Sequence, residues 1–139
     1  AGIGSGGTII GLAKAFRKLS SNIKIFGVEP LECALTYEHL HNLKKICHHH
    51  SIEGIADGFI PPLIFNNLRF INEVIRIKSK DAIQVSHQIA KKHGCFVGVS
   101  SGANILAAQL VKKRGLKNIL TLFPDEGEKY LSEEWFIKK

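Results

Sequence analysis

Four glycines fall within the first seven residues, at Gly2, Gly4, Gly6 and Gly7, and an amphipathic stretch begins directly behind them. Glycine reaches conformations closed to other residues, and without side chains its amides stay open to a ligand. Ahead of a helix, whose first turn carries unpaired N–H groups and the positive end of the dipole, such a loop forms an anion cradle. Residues 8–19 supply the helix: Ile9, Leu12, Ala13, Phe16 and Leu19 share one face, and Lys14, Arg17 and Lys18 fill the other. Gly4-Ser5-Gly6-Gly7-Thr8 is therefore the candidate site for a phosphate monoester, with the Ser5 and Thr8 hydroxyls as further donors. A tight strand-to-helix turn without a ligand is the plain alternative. Gly2, Gly4 and Gly7 also satisfy G-x-G-x-x-G, and Glu29 lies 22 residues beyond Gly7, where the ribose-binding acid of a dinucleotide unit would belong. That second pattern leaves Gly6 and Thr8 without a role. A Walker loop is excluded, because no Gly-Lys-Ser/Thr follows.

Behind the loop, apolar runs alternate with helical periodicity. Ile23 to Val28 reads as a buried strand, Glu73 to Ile77 as another, and Cys95 to Val99 and Ile119 to Phe123 as two more. Between them the spacing predicts a short helix over Ala34 to Leu43 within an irregular excursion, and a turn at 54–67 leading into a short helix. A longer helix capped by Ser79 runs to Lys92 or His93, and another covers 103–114. Gly94 and Gly115 stand where C-caps belong, and a polar tail from Asp125 to Lys139 closes around Trp135 and Phe136. Continuous apolar strands joined by helices predict a three-layer α/β fold, a Rossmann-like parallel sheet covered on both faces. Ligands in such sheets sit at the carboxyl ends of the strands, which points to the loops at 2–8 and 98–103.

At 139 residues, with 45% apolar and 22% charged positions, the chain has the size of one domain with its own core, and disordered, collagen-like and coiled-coil classes are excluded. A formal charge of +7 suits an anionic ligand. The basic residues are scattered over helix faces without interleaved aromatics, which argues against nucleic acid. The longest uncharged stretch, Gly94 to Val111, is broken by glycines, serines, Asn104 and Gln109, so no membrane span is expected. Cys33, Cys47 and Cys95 are widely spaced and odd in number, which predicts buried, reduced thiols in a cytoplasmic setting. The start, Ala1-Gly2-Ile3-Gly4, carries neither a signal peptide nor Met and reads as an unnatural beginning. Six His and Cys residues crowd between His39 and His50, but consecutive histidines lack metal-ligand spacing, so a mobile basic loop is expected and no metal site.

The ordered motifs resemble the second half of the cysteine synthase family, the fold type II pyridoxal-phosphate enzymes. Gly4-Ser5-Gly6-Gly7-Thr8 is similar to the family's G-T-G-G-T loop, and Gly27-Val28-Glu29-Pro30 to its G-V-E-P strand end. The segment from Ile52 to Pro61 resembles I-Q/E-G-I-G-x-G-F-I-P, Gly98 to Ala103 resembles G-I-S-S-G-A, and Pro124 to Ser132 resembles P-D-S-G-E-R-Y-L-S. The resemblance spans nearly the whole chain.

It implies that the phosphate of pyridoxal 5'-phosphate rests on Gly4, Ser5, Gly6, Gly7 and Thr8, and that Ser100 meets the pyridine nitrogen. An N-cap role for Ser100 is the structural alternative. A neutral hydroxyl there makes the cofactor a moderate electron sink, suited to β-replacement on a serine derivative. The implied reaction joins O-acetylserine and sulfide into cysteine. Cystathionine β-synthase, with homocysteine as thiol acceptor, is the neighbouring alternative, and a non-catalytic dinucleotide-binding module using Glu29 the distant one. Ser5, Glu53, Ala56 and Glu126 depart from the family pattern. The family's Schiff-base lysine, in S-x-K-D/N-R, and its S-G-N-T substrate loop lie upstream of the phosphate loop and have no counterpart here. Ser79-Lys80-Asp81 lacks the flanking residues and reads as a helix cap. No catalytic residue is thus expected in this chain, which should be inactive without an N-terminal half and homodimeric when complete.

Overall fold

The expected layering is found. The computed structural model describes residues 1–137, and the last two residues of the expected polar tail lie outside that range. The central layer is a parallel pair, β1 (Phe26–Pro30) against β2 (Glu73–Ile77), with Val28 opposite Ile75. On the other edge of β1, Gly2 bridges to Val28, with Ile3 N donating to Val28 O at 2.9 Å and Val28 N to Ala1 O at 3.0 Å. Alternate side chains leave a strand on opposite faces. Accordingly Val28, Ile75 and Ile77 pack beneath α4 (Ser79–His93) and α5 (Val99–Lys113), through Ala82, Val99 and Ala103. Val74 turns the other way, to Ile9, Ile10 and Ala13 of α1 (Gly7–Leu19) and Ile64 of α3 (Pro62–Phe65). At Gly102, α5 comes so near α4 that a methyl group would strike Ala82 O.

The local boundaries moved where a distant group decides them. The ladder of β1 starts at Phe26 rather than Ile23, because Ile25 N is taken by Asn72 Oδ1 at 2.8 Å. The short helix α2 covers only Leu35–Leu40. Ser79 is not the cap of α4. Lys78 holds that position without a side-chain bond, while Ser79 N donates to Glu32 Oε1 at 3.0 Å and Ser79 Oγ accepts from Ser51 N at 3.1 Å. The expected strand at 95–99 is a lone antiparallel bridge, Val97 to Glu126, and α5 opens at Val99, four residues before the periodicity predicts. Residues 119–123 form no ladder, and Leu120 is 70% exposed. With no neighbouring strand to accept its hydrogen bonds, apolar content alone does not make this run a strand.

The cysteines also differ from expectation. Cys33 is fully buried, yet it is joined by a disulfide to exposed Cys47, and Cys95 is free and exposed. Wide spacing argued against pairing. The antiparallel bridge between positions 33 and 47 nevertheless brings the two together, a long-range contact that spacing does not encode. No helix among the described residues is long and apolar enough to cross a membrane.

Ala1 is partly buried against β1, its ammonium donating to Phe26 O at 2.9 Å. Burial pulls its pKa down to about 6. A base whose folded pKa lies below its unfolded value adds stability above the unfolded pKa and loses it as the pH falls through the folded one. The chain beginning at Ala1 should therefore lose roughly 2 kcal/mol between about pH 8.5 and about pH 5.5 through this group, after allowance for solvent screening. N-terminal acetylation should flatten that part of the slope. Urea midpoints of the acetylated and free chains at the two pH values provide the check.

Candidate active site

The first hydrogen bond of α1 runs from Ile10 N to Gly6 O at 3.0 Å, so the amides of Gly7, Thr8 and Ile9 precede the helical ladder. No side chain caps them, and no acidic residue stands in the first turn. Gly6 sits at φ 91°, where a side chain would be strained and would meet Ile64 at 2.8 Å. A methyl group at Gly4 would strike Gly54 O. These two glycines let the loop fold tightly under Gly54, while Ser5, Gly7 and Thr8 face outward.

They face a cavity of about 250 Å³, walled by Gly4 to Thr8, Glu53, Gly54, Ile55, Ser100, Asn104, Asp125 and Tyr130 among others. The two loops singled out by composition thus meet in one small space, with Gly6 and Ser100, 94 residues apart, on its wall together. Ser100 is 4% exposed and stands on this wall, its amide held by Asp125. It is not the N-cap of α5, a position held by Gly98.

Asp125, to which the sequence reading gave no role, anchors this wall. Its carboxylate accepts Ser100 N at 3.0 Å, Ser101 N at 2.9 Å, Ser101 Oγ at 2.5 Å and the Tyr130 hydroxyl at 2.9 Å. An acid at a helix start neutralises orphan amides and complements the dipole. Its negative charge is thereby spent on donors of the fold. Burial, then the charge of Asp125, pushes the Tyr130 phenol above its usual range, so it remains a proton donor. A proline-ended apolar run with an acid directly after it was the only hint in the sequence.

Other candidates fall outside the cavity. Glu29, the acid of the dinucleotide alternative, is 2% exposed and is absent from the cavity wall. Its two oxygens accept Thr36 N at 3.1 Å and Tyr37 N at 3.0 Å, capping α2, and burial raises its pKa. Buried and committed to these amides, it is out of reach of a ribose bound in the cavity. Glu126 is exposed and lies off the wall, so it faces away from any ring bound there. Glu53 does line the cavity, paired with Lys129 at 3.0 Å. Ala56 adopts φ 56°, the conformation that explains glycine in the family pattern. Lys80 is exposed in the first turn of α4, off the wall. The histidines diverge: His41 stacks on Tyr37 with ring centres 4.0 Å apart, His39 leans on Phe65, and His50 Nε2 lies 3.0 Å from Ala56 O. Among the described residues, no three potential ligands gather around one point.

Unpaired amides at the start of α1, a loop that only glycine closes and a serine on the wall of the same cavity suit a phosphorylated heterocycle. Comparison with known proteins agrees: the profile of the pyridoxal-phosphate dependent enzymes matches residues 1–125. The chain belongs to this family. Among pyridoxal-phosphate dependent enzymes it is 41% identical to cysteine synthase B of Campylobacter jejuni, over 98% of this chain and 43% of that protein. The crystal structure of cysteine synthase from Entamoeba histolytica superposes with a TM-score of 0.83 at 36% identity, covering 99% of this chain and 39% of that one. An O-acetylserine dependent cystathionine beta-synthase from Helicobacter pylori gives 0.80 at 36% identity, covering 97% and 42%. The fold is therefore that of the fold type II pyridoxal-phosphate dependent enzymes, and the chain spans about two-fifths of the length of its relatives.

Proposed function

We propose that this chain is the C-terminal half of a cysteine synthase, carrying the cofactor's phosphate cradle and the partner of its ring nitrogen. The reaction proposed joins O-acetylserine and sulfide into cysteine, in the cytoplasm and as a homodimer. In that setting the thiol pools would hold Cys33 and Cys47 reduced. The observation that carries the reading is the meeting of the Gly4–Thr8 loop and Ser100 on one cavity wall.

Bound there, pyridoxal phosphate would supply an electron sink for the α-carbon of an amino acid. The chain's own part is positioning. Amides of Gly7, Thr8 and Ile9, with the Ser5 and Thr8 hydroxyls, would hold the phosphate through charge-assisted bonds of about 1.5–3 kcal/mol each. Ser100, kept rigid by Asp125 through its own amide, would meet the ring nitrogen with a neutral hydroxyl, which leaves that nitrogen free of any demand for a proton. The Schiff-base lysine and the substrate-carboxylate loop would come from the N-terminal half. Cystathionine synthesis from homocysteine is the second reading, favoured by the Helicobacter pylori neighbour.

A chimera tests the proposal. This chain would replace the aligned C-terminal part of Campylobacter jejuni cysteine synthase B, a swap that 41% identity makes reasonable. The folded chimera should take up pyridoxal phosphate and form cysteine from O-acetylserine and sulfide, faster than cystathionine from homocysteine. Folding with no cofactor uptake would overturn the site. Uptake with preference for homocysteine would overturn the acceptor.

A further inference from the structure

The excursion between β1 and Ile52 carries a bonded pair of cysteines in unequal surroundings. Cys33 is 0% exposed and packs with Leu35 and Ala56, whereas Cys47 is exposed. An antiparallel bridge joins the two positions, with His48 N donating to Glu32 O at 2.9 Å. These main-chain contacts do not depend on the sulfurs, so reduced thiols remain neighbours. Exposed Lys44 and Lys45 stand three and two residues ahead of Cys47, and His48 to His50 follow it. Glu38 is an acid at this loop, and its Oε2 already accepts Ile46 N at 2.7 Å.

A cysteine attacks disulfides as its thiolate, which exposure and positive surroundings favour, whereas a thiol buried among apolar groups is inert. The two sulfurs therefore divide the work. We propose that Cys47 is a thiol–disulfide exchange site for small anionic disulfides of the glutathione type, with Cys33 as its resolving thiol. The Cys47 thiolate attacks one sulfur of the small disulfide; that S–S bond breaks, one thiolate leaves, and a mixed disulfide remains on Cys47. The Cys33 thiolate then attacks the Cys47 sulfur and expels the second small thiolate. The two departing thiolates take up the two protons that the protein thiols give up, so two electrons pass from the pair to one small disulfide. Reducing thiol pools keep the pair open, and a surplus of the disulfide closes it. The bond also reaches the glycine loop. His50 Nε2 lies 3.0 Å from Ala56 O, and Ala56 N donates at 2.9 Å to Ile3 O, directly ahead of Gly4. Opening the bond releases residues 34–46, and with them the approach to Ala56. The weak S–H donor that reduction restores at Cys33, 3.8 Å from Ala56 O, offsets little of that.

The test uses the full chain with Cys95→Ser, so that the exposed third thiol does not report. The reduced protein is mixed with glutathione disulfide near neutral pH and followed by intact mass. It should lose two hydrogens and release two glutathione molecules. Cys33→Ser should stop with one glutathione held on Cys47, and Cys47→Ser should react about a hundredfold more slowly. Lys44→Gln with Lys45→Gln should slow the reaction about threefold or more, but not the reaction with cystamine, a cationic disulfide. Reduction should lower the urea midpoint by about 1–2 M and speed amide exchange at His48 and Ala56 by about tenfold. A native pair that halts at the mixed disulfide, or a Cys47→Ser chain that takes up glutathione at the native rate, would overturn the assignment. An equal response to both small disulfides would remove the preference for anions, and unchanged exchange at Ala56 the link to the loop. None of these readouts involves pyridoxal phosphate, so failure of the cofactor site would leave them unmoved.

Discussion

Replacing Gly7 by Asp is expected to abolish phosphate-ester binding while leaving the fold as stable as before, or more so. At Gly7 the backbone is ordinary and an added Cβ would meet only Ser5 Oγ, at 3.8 Å, so the side chain fits without strain. An acid in the first turn of α1 also complements the dipole, by about 0.3–1 kcal/mol. The same carboxylate would face the bound phosphate. Two unit charges about 4 Å apart in a partly buried site repel by about 4 kcal/mol, close to a thousandfold in affinity. Pyridoxine 5'-phosphate is the suitable probe, because without an aldehyde it does not react with surface lysines. Calorimetric titration of the chimera and its Gly7→Asp form, with thermal melts of both, provides the measurement. Tight binding retained by the variant would remove the phosphate from this loop. Gly6→Asp would be the poorer choice, since positive φ and the Ile64 contact would confound binding with misfolding.

The second large effect is expected on stability. Asp125→Ala removes the acceptor of two amides and two hydroxyls, all close to α5. Hydrogen bonds to a charged group contribute about 1.5–3 kcal/mol each, and donors left buried cost more. Because the four share one carboxylate and are not additive, a net loss of about 3–5 kcal/mol is expected, a large share of a typical domain's stability. Asp125→Asn should lose less, since it keeps one oxygen. Hydrogen exchange should localise the damage: the amides at 99–102 lose protection first, and the helix retreats towards residue 103. Urea midpoints unchanged within experimental error would show that Asp125 does not hold this turn.

That retreat explains where sequence reading worked and where it stopped. The period of Ile9, Ala13 and Phe16 encodes α1, and Val74 against Ile75 and Ile77 encodes the two faces of β2, because near neighbours decide both. The start of α5 is set by Asp125, 24 and 25 residues away from the serines it caps. Ser79 and Glu32, and Cys33 and Cys47, are likewise partners across loops, which local patterns do not report. Residues 119–123 have a strand's composition but no neighbour to pair with. The tight glycine turn ahead of α1 was legible because it needs a main chain stripped of side chains, a property written directly in residue type. Ser100 was singled out through family resemblance. Its place on the same cavity wall as Gly6 needed the fold.

A grip formed mainly by peptide amides, as proposed for this loop, has few side chains to lose. On the proposed reading, substitutions on the exposed face of α1 can accumulate while its buried face stays apolar and the glycines stay small, and the anchor for the cofactor is inherited intact. Evolution can then retune the opposite wall, at positions such as Glu53 and Lys129, without reopening the question of how the cofactor is held. Enzymes that share little more than this cradle could in that way diverge in the nucleophile they accept while keeping one common socket.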